Sequence, residues 1–106
     1  MNLKWIRQRI TAQDYEITPH AVEECEDEDI QFNELEEALM NGEILEQYAN
    51  RGDPRGDSCL ILGYTTNGEP LHVVVSRGRM DDMHIVTAYF PKQPQWINER
   101  TRRKNG

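Results

Sequence analysis

Asn67-Gly68 is the most restrictive pair of residues in this chain. Asn-Gly tolerates the positive φ angles of a tight hairpin turn, and here it separates two runs rich in β-branched and apolar residues, 58–66 and 70–77. Antiparallel pairing of those runs is the direct expectation. A two-residue turn would set Thr66 opposite Glu69, Tyr64 opposite Leu71, Leu62 opposite Val73 and Leu60 opposite Val75, gathering one apolar face. The other face would carry Ile61, Gly63 and Thr65 against His72, Val74 and Ser76. With Gly63 opposite His72, this register predicts a notch in which the imidazole lies bare to solvent.

A turn over 78–82 leads to a third predicted strand, 83–90. If Val75 opposes Ile85, then Ile85, Thr87 and Tyr89 join the apolar face, and His84, Val86, Ala88 and Phe90 the notched one. Upstream, Leu3, Ile6 and Ile10 recur at helical spacing beside Trp5, and residues 15–18 read as a short edge strand. Thr18-Pro19 is an N-cap followed by proline at the first helical position, so a helix should run from Pro19 to about Glu28. Asn33 and Glu36 resemble a capping box for a second helix, which buries Leu35, Ala38 and Leu39 and stops at Gly42. Residues 43–48 alternate as a further strand, and the Gly, Pro, Arg and Asp of residues 50–57 make a loop. Pro91 and Pro94 end the sheet, and Trp96 and Ile97 should begin a short helical tail.

The predicted fold class is therefore α+β, a helical hairpin on a twisted, mainly antiparallel sheet of about four strands. A chain of 106 residues supports one hydrophobic core, giving a single domain over 1–106: an N-terminal helix (1–14), a core (15–90) and a basic C-terminal tail (91–106). Charged residues are 29% of the total and break every apolar run well short of a membrane span, and no leader-like segment opens the chain, so a cytoplasmic protein is expected. Two cysteines, Cys25 and Cys59, are read as reduced thiols. The net charge of -7 is segregated: residues 11–50 hold thirteen acids and no Lys or Arg, whereas residues 51–106 hold nine bases against six acids. Such a dipolar surface fits either a solvated helical face or a docking face for a basic partner.

Several blocks carry a family resemblance: His20-Ala21 after a short strand, Ser58-Cys59-Leu60-Ile61-Leu62-Gly63, Pro70-Leu71-His72-Val73-Val74, and Ile85-Val86-Thr87-Ala88-Tyr89 with Pro91 and Trp96 behind it. Over about residues 15–104 the chain resembles the prokaryotic domain of unknown function 4258, within the RelE/ParE-like (BrnT-like) toxin superfamily. That resemblance implies a RelE/ParE-type fold and a toxin of a type II toxin–antitoxin pair, a metal-independent endoribonuclease acting on RNA. It also implies a partner, the cognate antitoxin, often a small zinc-finger protein of the MqsA type. Where relatives carry arginines four and eight residues after the His, this chain has Glu24 and Glu28.

RNA cleavage without a metal needs groups that take and return a proton and a cation beside the phosphate. His72, His20 and His84 are the proton-transfer candidates, although an isolated imidazole on a strand is more often a hydrogen-bonded structural residue, and His20 also reads as a helix cap. Tyr89 is an acid candidate only if it leaves the apolar face. Arg77, Arg51, Arg55 and Arg79 are phosphate candidates. In the tail, Trp96 with four cations, Arg100, Arg102 and Arg103 among them, is suited to stacking a base and holding an RNA backbone, or is merely a solvated terminus. His20 and Glu24 share a helix face, but two ligands do not make a metal site, so no metal or other cofactor is expected. Two competing readings stand beside the nuclease: a non-catalytic module with a degenerate toxin fold that binds its partner through the acidic helical face, and an acidic mimic of nucleic acid. Sequence leaves monomer and dimer equally open.

Overall fold

The computed structural model describes residues 1–49, 56–92 and 95–103. Among these residues the chain forms α1 (Leu3–Thr11), β1 (Glu16–Ile17), α2 (Pro19–Glu28), α3 (Phe32–Asn41), β2 (Glu43–Tyr48), β3 (Asp57–Tyr64), β4 (Pro70–Arg77) and β5 (Met83–Tyr89). The five strands make one open mixed sheet in the order β1-β5-β4-β3-β2, in which only the two-residue β1 runs parallel to its neighbour. The α+β class holds, with one strand more than expected. Arg51, Arg55 and most of the predicted loop over 50–57 lie outside the described residues.

The helices start where side chains satisfy their free N–H groups. Asn2 accepts from the Trp5 amide at 2.9 Å and Thr18 from the Ala21 amide at 3.1 Å, with Pro19 in the first turn of α2. For α3 the cap is Gln31 rather than Asn33, because Glu34 reaches back to the Gln31 amide at 2.9 Å and starts the helix earlier. The helices cover one face of the sheet. Trp5, Ile6, Ala21, Cys25, Leu35, Ala38 and Leu39 pack there against Cys59, Ile61, Val73, Val75 and Ile85. At about 1.5–3 kcal/mol for each fully buried aliphatic side chain, this layer supplies most of the stabilisation. Gly63 marks the closest approach, since a Cβ there would stand 2.0 Å from the carbonyl oxygen of Ala38.

Two register expectations are corrected. The β3–β4 turn holds three residues, not two: Thr65 pairs with Glu69 through a 2.9 Å bond from its amide to the Glu69 carbonyl, and Gly68 takes the positive φ of 79°. Every partner therefore moves by one. Leu62 opposes His72, Gly63 opposes Leu71 and Ile61 opposes Val73, so Cys59, Ile61 and Gly63 face the helices and Leu60 and Leu62 face away. In β5 the predicted Val75–Ile85 pair is present, but the next pair is Val74 with Thr87, leaving Val86 as a bulge. The bulge reverses the remaining residues: Ala88 enters the core, and Tyr89 moves to the face of His72.

A second bulge lies in β2 at Leu45, between the pairs Ile44–Ile61 and Glu46–Leu60. Across paired strands, partners share a face, so Glu43 (opposite Leu62) and Glu46 (opposite Leu60) both point away from the helices. The C-terminal segment is not helical. Residues 95–103 fold back on themselves, Trp96 bridging Arg102, Ile97 donating to the Thr101 carbonyl at 2.8 Å and Arg103 to that of Gln95 at 2.8 Å. Asn98 closes this turn by accepting from the amides of Arg100 and Thr101. The segment lies over the second face of the sheet, where Leu60, Leu62, His72 and Trp96 are all at most 3% exposed. No helix among the described residues is long and apolar enough to cross a membrane.

Candidate functional site

His72 is on the face away from the helices, as its strand position predicts, but it is not bare. Its exposure is 0%. Leu62, not Gly63, stands opposite; the gap over Gly63 is filled by α3; and the Trp96 ring covers the imidazole edge-on at 4.4 Å between centroids. Its hydrogen bonds define its protonation. Nε2 is 2.7 Å from the Glu99 carbonyl oxygen, which can only accept, so Nε2 carries the proton. Nδ1 is then the acceptor for the Tyr89 hydroxyl at 3.2 Å. Burial holds the imidazole below its ordinary pKa, against the Glu99 carbonyl bond that favours the cation, and burial raises that of Tyr89. The pair is a neutral imidazole backing a protonated phenol.

Tyr89 forms part of the wall of a cleft of about 470 Å³, together with Glu28, Phe90, Lys92, Trp96 and Arg102. Position follows from the Val86 bulge on one side and from α2 on the other. Beyond β1 the outer edge of β5 has no strand partner, and two carboxylates of α2 occupy it. Glu24 accepts from the Ala88 amide at 3.1 Å and from the Thr87 hydroxyl, and Glu28 accepts from the Phe90 amide at 2.8 Å. Spacing explains the fit: residues four apart on a helix match amides two apart on a strand edge. Glu24 and Glu28 thus hold the backbone on both sides of Tyr89, a role that their place in an acidic run conceals. Lys92 stands 3.6 Å from the second oxygen of Glu28, and its own side chain is 68% exposed.

The remaining candidates are dispersed. Arg77 lies on the helix-facing side, about 16 Å along β4 from His72 at ~3.3 Å per residue. There it binds Asp81 through two nitrogens at 2.6 Å and stacks 4.8 Å from the Trp5 ring. The expected juxtaposition of His72 with Arg77 is therefore corrected. His84 shares the face of His72 but sits opposite Ser76, bonded to Asp82 at 2.6 Å and 3.8 Å from Glu16. His20 is exposed beside Glu24 at 3.3 Å. Arg79 and Arg103 are exposed. In the tail, Arg100 is paired with Glu43, and Arg102 holds Glu46 through two bonds of 2.7 and 3.2 Å while lying 4.5 Å from the Trp96 ring. Trp96 is 3% exposed, so the expected free stacking platform is a plug. Cys25 and Cys59 are free thiols, both buried, and burial lifts Cys59 to about 11. Among the described residues no His, Cys, Asp and Glu group of three or more is gathered as a metal site needs.

A three-helix layer on a five-stranded mixed sheet, with a Tyr–His pair at a cleft on the side away from the helices, defines a small α+β domain. Residues 17–90 match the family model of a domain of unknown function, DUF4258, and the chain belongs to that family. Neither a curated protein nor a solved structure matches it. The matched span includes His72 and Tyr89 and ends before Trp96, Glu99 and Arg102.

Proposed function

We propose that this chain is a toxin-like protein of RelE/ParE type that cleaves RNA without a metal, with the Tyr89–His72 pair as its acid–base group. The observation that carries this reading is the hydroxyl-to-imidazole bond at the wall of the cleft. A titratable pair displaced from ordinary pKa values, beside cations and aromatic rings, is the usual mark of a reactive site. In the proposed reaction the Tyr89 oxygen takes the proton of a ribose 2′-hydroxyl while its own proton passes to Nδ1 of His72. The 2′-oxygen attacks phosphorus, the bond to the 5′-oxygen breaks, and the relay runs backwards to protonate the leaving oxygen. Lys92, mostly in solvent, is the cation for the phosphoryl oxygens. His72 keeps its Nε2 proton throughout; in the structure that proton is held by the Glu99 carbonyl.

Purified protein freed of any partner, incubated with RNA in EDTA, should cleave it, and Tyr89→Phe and His72→Gln should each lose about 100-fold or more, the size of a general acid–base contribution. Arg77→Gln should cleave like the wild type. No cleavage by the intact protein ends this reading. The lowered pKa of His72 adds a pH signature: activity holds at neutral pH and falls only further on the acid side than an ordinary imidazole would dictate, as Nδ1 takes a proton and stops accepting.

A specific observation supports a second reading, a non-catalytic module of the same fold. Glu23, Glu26 and Asp27 stand exposed on the outer face of α2, and most described cations of the tail are already paired. On that reading the partner is a basic surface of the cognate antitoxin, in the family setting a small zinc-finger protein of the MqsA type. Reversing Glu23, Glu26 and Asp27 should then abolish co-purification of that partner without affecting RNA. Reversing Glu24 and Glu28 is uninformative, because they hold the β5 edge.

A further inference from the structure

The C-terminal segment is joined to the sheet by two ion pairs at its rim, Arg100 with Glu43 and Arg102 with Glu46. Both acids face the segment only because the bulge at Leu45 puts residues three apart in β2 on one side, matching arginines two apart in the segment. The pairs are in water: the four side chains are between 28% and 53% exposed. Exposed pairs of this kind contribute little and exchange readily for other anions. Between them the segment seats Trp96 and the Glu99 carbonyl on His72.

We propose that these two pairs form a latch that a nucleic-acid backbone opens. Phosphates compete with Glu43 and Glu46 for Arg100 and Arg102, and the guanidiniums that hold the segment over His72 become the groups that bind the chain of phosphates. The closed state explains why an imidazole beside a cleft is fully covered, and why the segment's cations are neutralised at home. Opening lifts Trp96 and Glu99 from His72 and widens the cleft at Tyr89. This inference rests on the RNA reading above for its ligand, but its test does not use cleavage.

The probe is a 2′-O-methyl RNA decamer, which has no nucleophile and stays intact, with the full chain as wild type, Glu43→Gln/Glu46→Gln and Arg100→Gln/Arg102→Gln. Without RNA, both double variants should exchange the Ile97 and Arg103 amides about tenfold faster, since each has lost the latch. With RNA they should diverge. The Gln-for-Glu variant should bind about tenfold tighter than wild type, relieved of competition, and the Gln-for-Arg variant more weakly, with a shallower salt dependence. In the wild type the decamer should accelerate exchange at the same two amides. Unchanged or weaker binding by Glu43→Gln/Glu46→Gln overturns the latch, as do Ile97 and Arg103 amides that keep their protection when RNA is bound. The single variant Glu43→Gln, half of the latch, should give intermediate values. If the opposed affinity shifts occur but ordinary RNA is not cut, the nuclease reading fails and the latch stands; cutting without the shifts has the reverse meaning.

Discussion

At the residue scale, buried polar groups on the second face are paired in a way that makes specific substitutions costly. His72 is neutral in the folded chain because burial disfavours its cation. The unfolded chain, titrating near the ordinary value of about 6.5, takes up the proton first as pH falls. Stability conferred by the neutral ring is therefore full above about 6.5 and is lost as pH drops from there toward the folded-state pKa. His72→Gln should flatten the pH dependence of the unfolding free energy over that interval, read by urea denaturation at several pH values. Equal slopes in the two proteins would count against a buried, titrating imidazole. Glu28 provides a second case. Glu28→Ala leaves the Phe90 amide without its acceptor and should cost about 1–3 kcal/mol, whereas Glu28→Gln keeps an acceptor oxygen and should cost less. The same hierarchy is expected at Glu24, where the Ala88 amide and the Thr87 hydroxyl are both at stake.

At the scale of elements, the helices and strands follow local chemistry, and the two bulges decide which side chains meet. Thr18-Pro19 and Gly68 were legible because a cap and a positive φ are local requirements. The bulges at Val86 and Leu45 were not, since each depends on what the neighbouring strand and the covering layers can accommodate. A single extra residue transferred Tyr89 from the core face to His72, and another aligned Glu43 with Glu46. Gly63 shows the same limit: its missing side chain reads as a gap from sequence, yet the vacancy is where α3 presses on β3. Gly63→Ala should cost about 1–3 kcal/mol or more, because the added methyl meets the Ala38 carbonyl and two packed elements must separate. A thermal melt unchanged from wild type would contradict that contact.

For the whole molecule, the sheet has a core on each side. The larger lies under three helices; the smaller consists of Leu60, Leu62 and His72 under Trp96. Trp96→Ala should therefore destabilise the protein by about 3–5 kcal/mol, a core-sized loss from a residue in a polar tail. Chemical denaturation measures it directly, and a loss below about 0.5 kcal/mol would mean that the segment does not cover the sheet in solution.

The sequence by itself determined the α+β class, the helix caps, the three long strands, the face on which His72 lies and the family, because these depend on caps, periodicity and turn residues within a few positions of each other. Only the tertiary structure decided the β3–β4 register, the transfer of Tyr89 to the side of His72, the use of Glu24 and Glu28 as acceptors for a strand edge, and the closing of the C-terminal segment over the second face. Those outcomes pair groups tens of residues apart, and they turn on shifts of one residue whose sign is set by packing rather than by local propensity.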